Sequence, residues 1–156
     1  VTALTLDLLK NWIRVRHADE DVILDAMLGA AVEHIEGQTG QLFARREVRQ
    51  PLYGLDFLSF GPVEGDVAIE WSDAAGVQSE VATIVRGRVS RRYPCNAVAV
   101  YQAGYSDPEQ VPKDLLVAAL LLAGNWDANR EATAEGATPL PFGVAALIDR
   151  YRRVLV

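Results

Sequence analysis

Helical periodicity at both ends of the chain and two-residue alternation in its middle predict an α+β fold: a mainly helical bundle with a small antiparallel β-sheet insertion. Three runs of residues carry this reading. Leu24, Leu28, Ala31 and Ile35 recur at steps of four, three and four, which places them on one helix face. Val67, Ile69 and Trp71 alternate with Ala68 and Glu70, the repeat of a half-buried strand. Beyond Pro112, the spacing of Leu115, Ala119, Leu122 and Trp126 restores the helical period. The expected organisation is a single domain over residues 1–156, with helices over about 5–40 and 112–156 and the β insertion over about 42–105.

Taken in order, Thr5 is an N-cap and Asp7 lies in the first turn, where the helix dipole favours a carboxylate. With Leu6, Leu9 and Ile13 at helical spacing, they predict a short helix from about Leu6 to Val15. Asp19, Glu20 and Asp21 load acid onto the start of a second helix, and Gly37 and Gly40 are expected to end it, so that 36–40 leads into extended chain. Two strands are expected where Val67, Ile69 and Trp71 alternate and where Val81, Thr83 and Val85 alternate with Ala82 and Ile84. Gly61-Pro62, Glu64-Gly65-Asp66, Asp73 to Gly76 and Arg86-Gly87 read as reversals between Leu42 and Tyr101.

The helix after Pro112 adds Leu116, Leu120 and Ala123 beside its first stripe, an apolar surface too wide for a helix lying on water, so it is expected at the centre. Glu131 to Thr138 has few large apolar groups to offset ordering entropy and reads as a mobile loop, closed by Pro139 and Pro141. A last helix turns Val144, Leu147, Ile148, Tyr151 and Leu155 inward and Asp149, Arg150, Arg152 and Arg153 outward. The expected core comprises Leu24, Leu28, Ile35, Leu116, Ala119, Leu120, Ala123, Trp126, Leu147 and Tyr151.

Composition narrows the function. Half of the residues are hydrophobic, enough for a true core. The net charge of -6 gives no favourable long-range field for phosphates, which disfavours a dedicated nucleic-acid binder. One cysteine excludes an internal disulfide and a multi-cysteine zinc site. The N-terminus lacks the basic start and apolar run of a signal peptide. Leu115 to Gly124, the longest apolar run, is about half of what a membrane span needs and predicts a core helix instead.

No residue cluster asks for an enzyme. His17 and His34 have no histidine partner at helical spacing and read as solvated side chains, and Asp19 and Asp21 beside His17 do not complete a metal cage. Cys95 follows Arg91 and Arg92, cations that can activate a thiol, but a nucleophile also needs a base and an oxyanion site. The blander reading is a small hydrophobe at a strand end. The glycines form no phosphate-loop or dinucleotide fingerprint, and no cofactor is expected. The arginines fall in three groups: Arg45, Arg46 and Arg49; Arg86, Arg88, Arg91 and Arg92; and Arg150, Arg152 and Arg153. Against 21 acidic residues, the first two groups read as partners for carboxylates across subunit interfaces rather than for DNA phosphates. The third shares its segment with Val154, Leu155 and Val156, the basic and apolar mixture of a docking tail. A cytosolic interaction or ligand-binding module, and a small hydrolase using Cys95 or His17, stay open as alternatives.

Three stretches carry a resemblance. They are the helical pair from Leu4 through Asp19-Glu20-Asp21 to Gly40; the run from Tyr101-Gln-Ala-Gly-Tyr105 through Val111-Pro-Lys-Asp-Leu115 to Asn125-Trp-Asp-Ala-Asn-Arg-Glu131; and Leu140-Pro-Phe-Gly-Val144 through Arg152. In order and spacing they resemble the head-tail connector family, the portal adaptors of long-tailed phages, prophages and gene transfer agents. Asn125 and Asp127 depart from the His and aromatic residue that relatives often carry beside the tryptophan. The resemblance implies a structural virion protein and no catalysis. It implies a homo-oligomeric ring of about twelve subunits at the head-tail junction of a particle assembled in the bacterial cytoplasm. Its implied partners are the portal protein and a tail-side stopper or tail-completion protein, with no membrane, and the isolated chain can remain monomeric. On this expectation Arg150, Arg152, Arg153, Val154, Leu155 and Val156 dock on the portal. DNA passes through without specific binding, and Asp19, Glu20, Asp21 and Asp25 are candidates for an acidic lumen.

Overall fold

The structure is a computed structural model that describes residues 4–53, 57–85, 87–130 and 141–152. The chain divides into two compact units, residues 4–43 with 107–152 and Ala44–Ser106. Helices and an antiparallel sheet make it α+β, as expected from the change of period.

The helical unit begins with α1 (Leu6–Ile13), where the Thr5 hydroxyl accepts the Leu8 N–H at 3.2 Å. The helix stops two residues short of the expected Val15 because Arg14 adopts the left-handed conformation, φ 62°, and its N–H closes on the Lys10 carbonyl. The second helix, α2 (Asp21–Thr39), runs through Gly37, contrary to expectation, and ends at Gly40 with φ 67°. A glycine inside a helix costs only about 1 kcal/mol relative to alanine. Residues on both sides repay it: Ile35, Glu36 and Thr39 are buried. The Thr39 hydroxyl donates to the Ile35 carbonyl at 2.8 Å, and the Glu36 carboxylate accepts the Phe43 N–H at 2.7 Å. That last bond satisfies a buried donor beyond the helix, so the exit is fixed by side chains as much as by Gly40.

After a 3₁₀ turn at Pro108–Gln110, α3 (Lys113–Ala128) packs against α1, α2 and α4 (Phe142–Ile148), which makes it the centre of its unit, as its wide apolar surface predicts. Leu115, Ala118, Ala119, Leu122 and Ala123 are buried along one stripe, facing the buried Leu24, Leu28, Ala31 and Ile35 of α2 and Val144 and Ile148 of α4. Four expected core residues, Leu116, Trp126, Leu147 and Tyr151, are only half-buried. Leu116 lies about 100° around α3 from Leu115, and Leu147 about 100° around α4 from Ile148, whereas Trp126 and Tyr151 continue the buried faces close to the ends of their helical segments. The last helix turns into a 3₁₀ segment at Asp149–Tyr151. The proposed loop 131–138, Pro139 and the inward Leu155 lie outside the described residues.

The sheet unit holds β1 (Arg46–Pro51), β2 (Val63–Asp73), β3 (Gly76–Ala82), β4 (Ile84–Val85), β5 (Arg88–Val89) and β6 (Val98–Ala103). Four strands form one antiparallel sheet in the order β1-β6-β2-β3, while β4 and β5 pair separately. Val67 and Ile69 of β2, Ala82 of β3 and Ala99, Tyr101 and Ala103 of β6 are buried on one face. Glu64-Gly65-Asp66 is not a reversal. Strand β2 continues through it with a register shift between Glu64 and Ala68, and Gly65 at φ 78° supplies the conformation that such a bulge requires. The Gly61–Pro62 peptide just before β2 is cis. The alternation of Val81, Thr83 and Val85 with Ala82 and Ile84 fits either face; the structure turns Ala82 inward, leaves Val81 61% exposed and divides the stretch between β3 and β4. At the end of β6, Gly104 has φ 107° and its N–H donates to the Pro62 carbonyl at 2.8 Å.

Among the described residues no helix is long and apolar enough to cross a membrane.

Candidate assembly surfaces

The sheet unit places the first two arginine groups beside carboxylates of the same chain. Arg45 lies 3.1 Å from Glu64, and Arg49 lies 2.6 Å from Glu70 and 3.8 Å from Glu47. Arg91 reaches Glu80 at 2.5 Å and stacks 4.7 Å above the Tyr93 ring, whose hydroxyl also donates to Glu80 at 3.2 Å. The Tyr93 contact, then the Glu80 charge, raises the Arg91 pKa above its ordinary value. Arg88 covers the Phe57 ring at 4.2 Å. Arg46 and Arg92 are exposed, and Arg86 lies outside the described residues. Partners expected across an interface are thus present locally for Arg45, Arg49 and Arg91.

In the helical unit the acidic cluster is knitted into ion pairs. Asp21 binds Lys10 at 2.6 Å, tying the start of α2 to α1. Glu20 accepts two bonds from Arg130, at 2.7 and 2.9 Å, and Arg130 also holds Asp127 at 2.5 Å. The Arg130 bond holds the Glu20 carboxyl below its ordinary pKa, and Glu20 and Asp127 together push the guanidinium higher still. Asp19 is 3.9 Å from His17, and Asp25 is exposed. Of the tail residues, Arg150 pairs with Asp114 and donates to the Tyr151 hydroxyl at 2.6 Å, while Arg152 lies 3.4 Å from Asp149. The Tyr151 bond, then Asp114, raises the Arg150 pKa. Arg153, Val154, Leu155 and Val156 lie outside the described residues.

Among the described residues, nucleophilic or metal chemistry finds no constellation. Cys95 is exposed in the turn before β6, not used as a small hydrophobe at a strand end. Residues 95–96 form a turn and β6 begins only at Val98, so Cys95 stands outside the alternation that buries strand residues. His34 is half-buried rather than solvated, edge-on to Trp126 at 6.5 Å, with Nε2 buried and unpartnered. His17 is exposed. No group of three or more His, Cys, Asp or Glu side chains converges among the described residues. A groove of about 380 Å³ in the helical unit is lined by Trp12, Ile13, Leu121, Gly124, Asn125, Pro141, Gly143 and Val144, none of them titratable near neutrality. These eight residues offer no donor or acceptor for proton transfer.

What sequence reasoning missed is exposed apolar surface. Leu8, Trp12, Val22 and Ile23 stand out on the first two helices, and Val77, Val81 and Val85 on the hairpin and the strand after it. Residue type alone marks such positions as core candidates, and only the observed phase of each element turns them outward.

Residues 3–152 match the family described as phage gp6-like head-tail connector protein. The chain belongs to this family. Three solved structures agree with the connector assignment. A chain in the neck of an empty GTA particle, computed with C6 symmetry, is 30% identical over 99% of this chain and 91% of that one, with a TM-score of 0.72. A chain in the virion of a native gene transfer agent (GTA) particle is 29% identical over the same shares, with a TM-score of 0.73. A chain in the neck of a native GTA particle, computed with C12 symmetry, is 30% identical over 100% and 94%, with a TM-score of 0.65. No curated protein matches the connector chain. The connector fold accounts for both units, since the similarity runs through the sheet as well as the helices.

Proposed function

We propose that this chain is a structural adaptor at the head-tail junction of a phage-like particle. Its copies form a ring between portal and tail that extends the DNA channel and prepares the head for tail attachment. The observation that carries this is the family match over residues 3–152, joined by about 30% identity to chains of particle necks. A ring of about twelve copies is proposed by analogy with the neck computed with C12 symmetry. The chain acts by binding and shape, and catalysis has no part in this reading.

Within the ring, Arg45, Arg46, Arg49, Arg86, Arg88, Arg91 and Arg92 are proposed to meet neighbouring copies. The ion pairs already formed within the chain leave the guanidinium edges less to gain, so their contribution is to register more than to affinity. The tail from Arg150 to Val156 is proposed to hold the portal, its charges setting orientation and Val154, Leu155 and Val156 supplying apolar contact. Arg150 is committed to Asp114 and Tyr151, which makes it the anchor of that tail, and Arg152 to Val156 the part that reaches the partner. Deleting residues 152–156 should leave a folded chain and DNA-filled heads without it. A truncated chain that joins the heads at the normal level would contradict portal docking by the tail.

A further inference from the structure

The two edges of the four-stranded sheet are unlike. Strand β1 ends in Pro51, which lacks an N–H, and exposes Arg46, Glu47 and Arg49, the features that discourage strand addition. Strand β3, the other edge, has seven residues, no proline, no lysine and one charge, Glu80, whose carboxylate is engaged by Arg91 and Tyr93. The β2–β3 hairpin fixes which backbone groups are open. Asp73 and Gly76 close a two-residue turn and so form a mutually hydrogen-bonded pair. The alternation from that pair makes Trp71–Gln78, Ile69–Glu80 and Val67–Ala82 bonded pairs and aims the N–H and C=O groups of Val77, Ser79 and Val81 at the open edge. Beside those groups stand the Val77 and Val81 side chains, 80% and 61% exposed.

We propose that β3 is a docking strand: an extended segment of a second, non-identical protein of the particle neck adds to its open edge through the backbone of Val77, Ser79 and Val81. The inference rests on the connector reading. Two self-pairings are disfavoured. Pairing β3 with β3 of another copy is a two-fold contact, whereas a ring of more than two copies repeats by rotation and joins unlike surfaces. Pairing β3 with β1 of the next copy would have the favourable antiparallel sense, since an even number of strands gives opposed edges. It would, however, set Val77 and Val81 beside Glu47 and Arg49, which share their face, and Pro51 would withhold a donor. The chemistry of the occupant follows. It is an extended segment with β-branched or other apolar side chains at alternate positions to cover the two valines, and uncharged on that face.

Hydrogen exchange of the Val77, Ser79 and Val81 amides tests this in the isolated protein, at whatever oligomeric state it adopts, and in purified particles. Fast exchange is expected in the isolated protein and protection in the particle. Ser79→Pro removes an outward donor and no bond to β2, and Val81→Lys places a charge on the exposed face. Each should fold with a melting temperature near that of the parent and lower the yield of tailed particles about tenfold. Unchanged exchange in the particle, protection already present in an isolated ring, or normal tailing by both variants would overturn the proposal. A chain that is absent from particles would overturn the connector reading itself, whereas a chain that is present with β3 unprotected would overturn only the docking.

Discussion

Glu20 and Arg130 are far apart in sequence, yet they make the best-formed ion pair of the helical unit, with Asp127 as the third member. Both side chains are about one-third exposed, so water screens the pair and its contribution is small. Its pH dependence has a definite sign. Because Arg130 lowers the Glu20 pKa from 4.5, the pair contributes fully above that value and is lost as pH falls through the lowered one. Glu20→Gln should therefore lower the melting temperature by about 2 °C or less at neutral pH. The difference should shrink when the pH is taken from neutrality to well below the ordinary carboxylate range, as Glu20 takes up its proton. Thermal melts at the two pH values check this, and an equal difference at both would contradict it. No sequence pattern announces a pair formed by residues so far apart. The Thr5 cap and the stop at Gly40, by contrast, were legible because a local hydrogen bond and a left-handed residue need only their immediate neighbours.

Among the elements, α3 was the most legible. Its apolar arc spans so many positions that only a central helix can bury it, and it packs on the other three helices. The strands were less so. The alternation around Val81 has the right period but no phase, and the bulge at Gly65 looks in sequence like any turn glycine. The exit of β6 depends on another glycine. Gly104 holds φ 107°, and a Cβ there would overlap the Ala44 carbonyl oxygen and sit 2.7 Å from its carbon. Gly104→Ala is expected to destabilise the protein by about 1–3 kcal/mol from the backbone conformation, with the overlap adding to it. Chemical denaturation reads this directly. A variant as stable as the parent would mean that the turn relaxes without cost. Gly124 marks the opposite case, a close approach between helices, since a Cβ there would meet Ile13 Cγ2 at 3.3 Å.

For the whole molecule, the order and spacing of the motifs resemble the connector family, and the match over residues 3–152 agrees with it. The sequence does not separate assembly surface from internal pairing, because Arg45, Arg49 and Arg91, proposed for neighbours, are partnered inside the chain as well, and exposed valines look like core. Net charge still bears on function. At -6 per copy, a ring is proposed to conduct DNA rather than hold it, with Asp19, Glu20, Asp21 and Asp25 as lumen candidates. Pairing of Glu20 with Arg130 and of Asp21 with Lys10 moderates the local field without changing its sum. Titration with duplex DNA should give weak binding with a shallow salt dependence. Tight binding that falls steeply with salt would reveal a phosphate-binding face instead. The adaptor role itself is tested most directly by electron microscopy of particles from cells with and without this chain. The account predicts a ring of it at the head-tail junction of complete particles, and DNA-filled heads without tails when it is missing. Tailed, intact particles made in its absence would contradict the account.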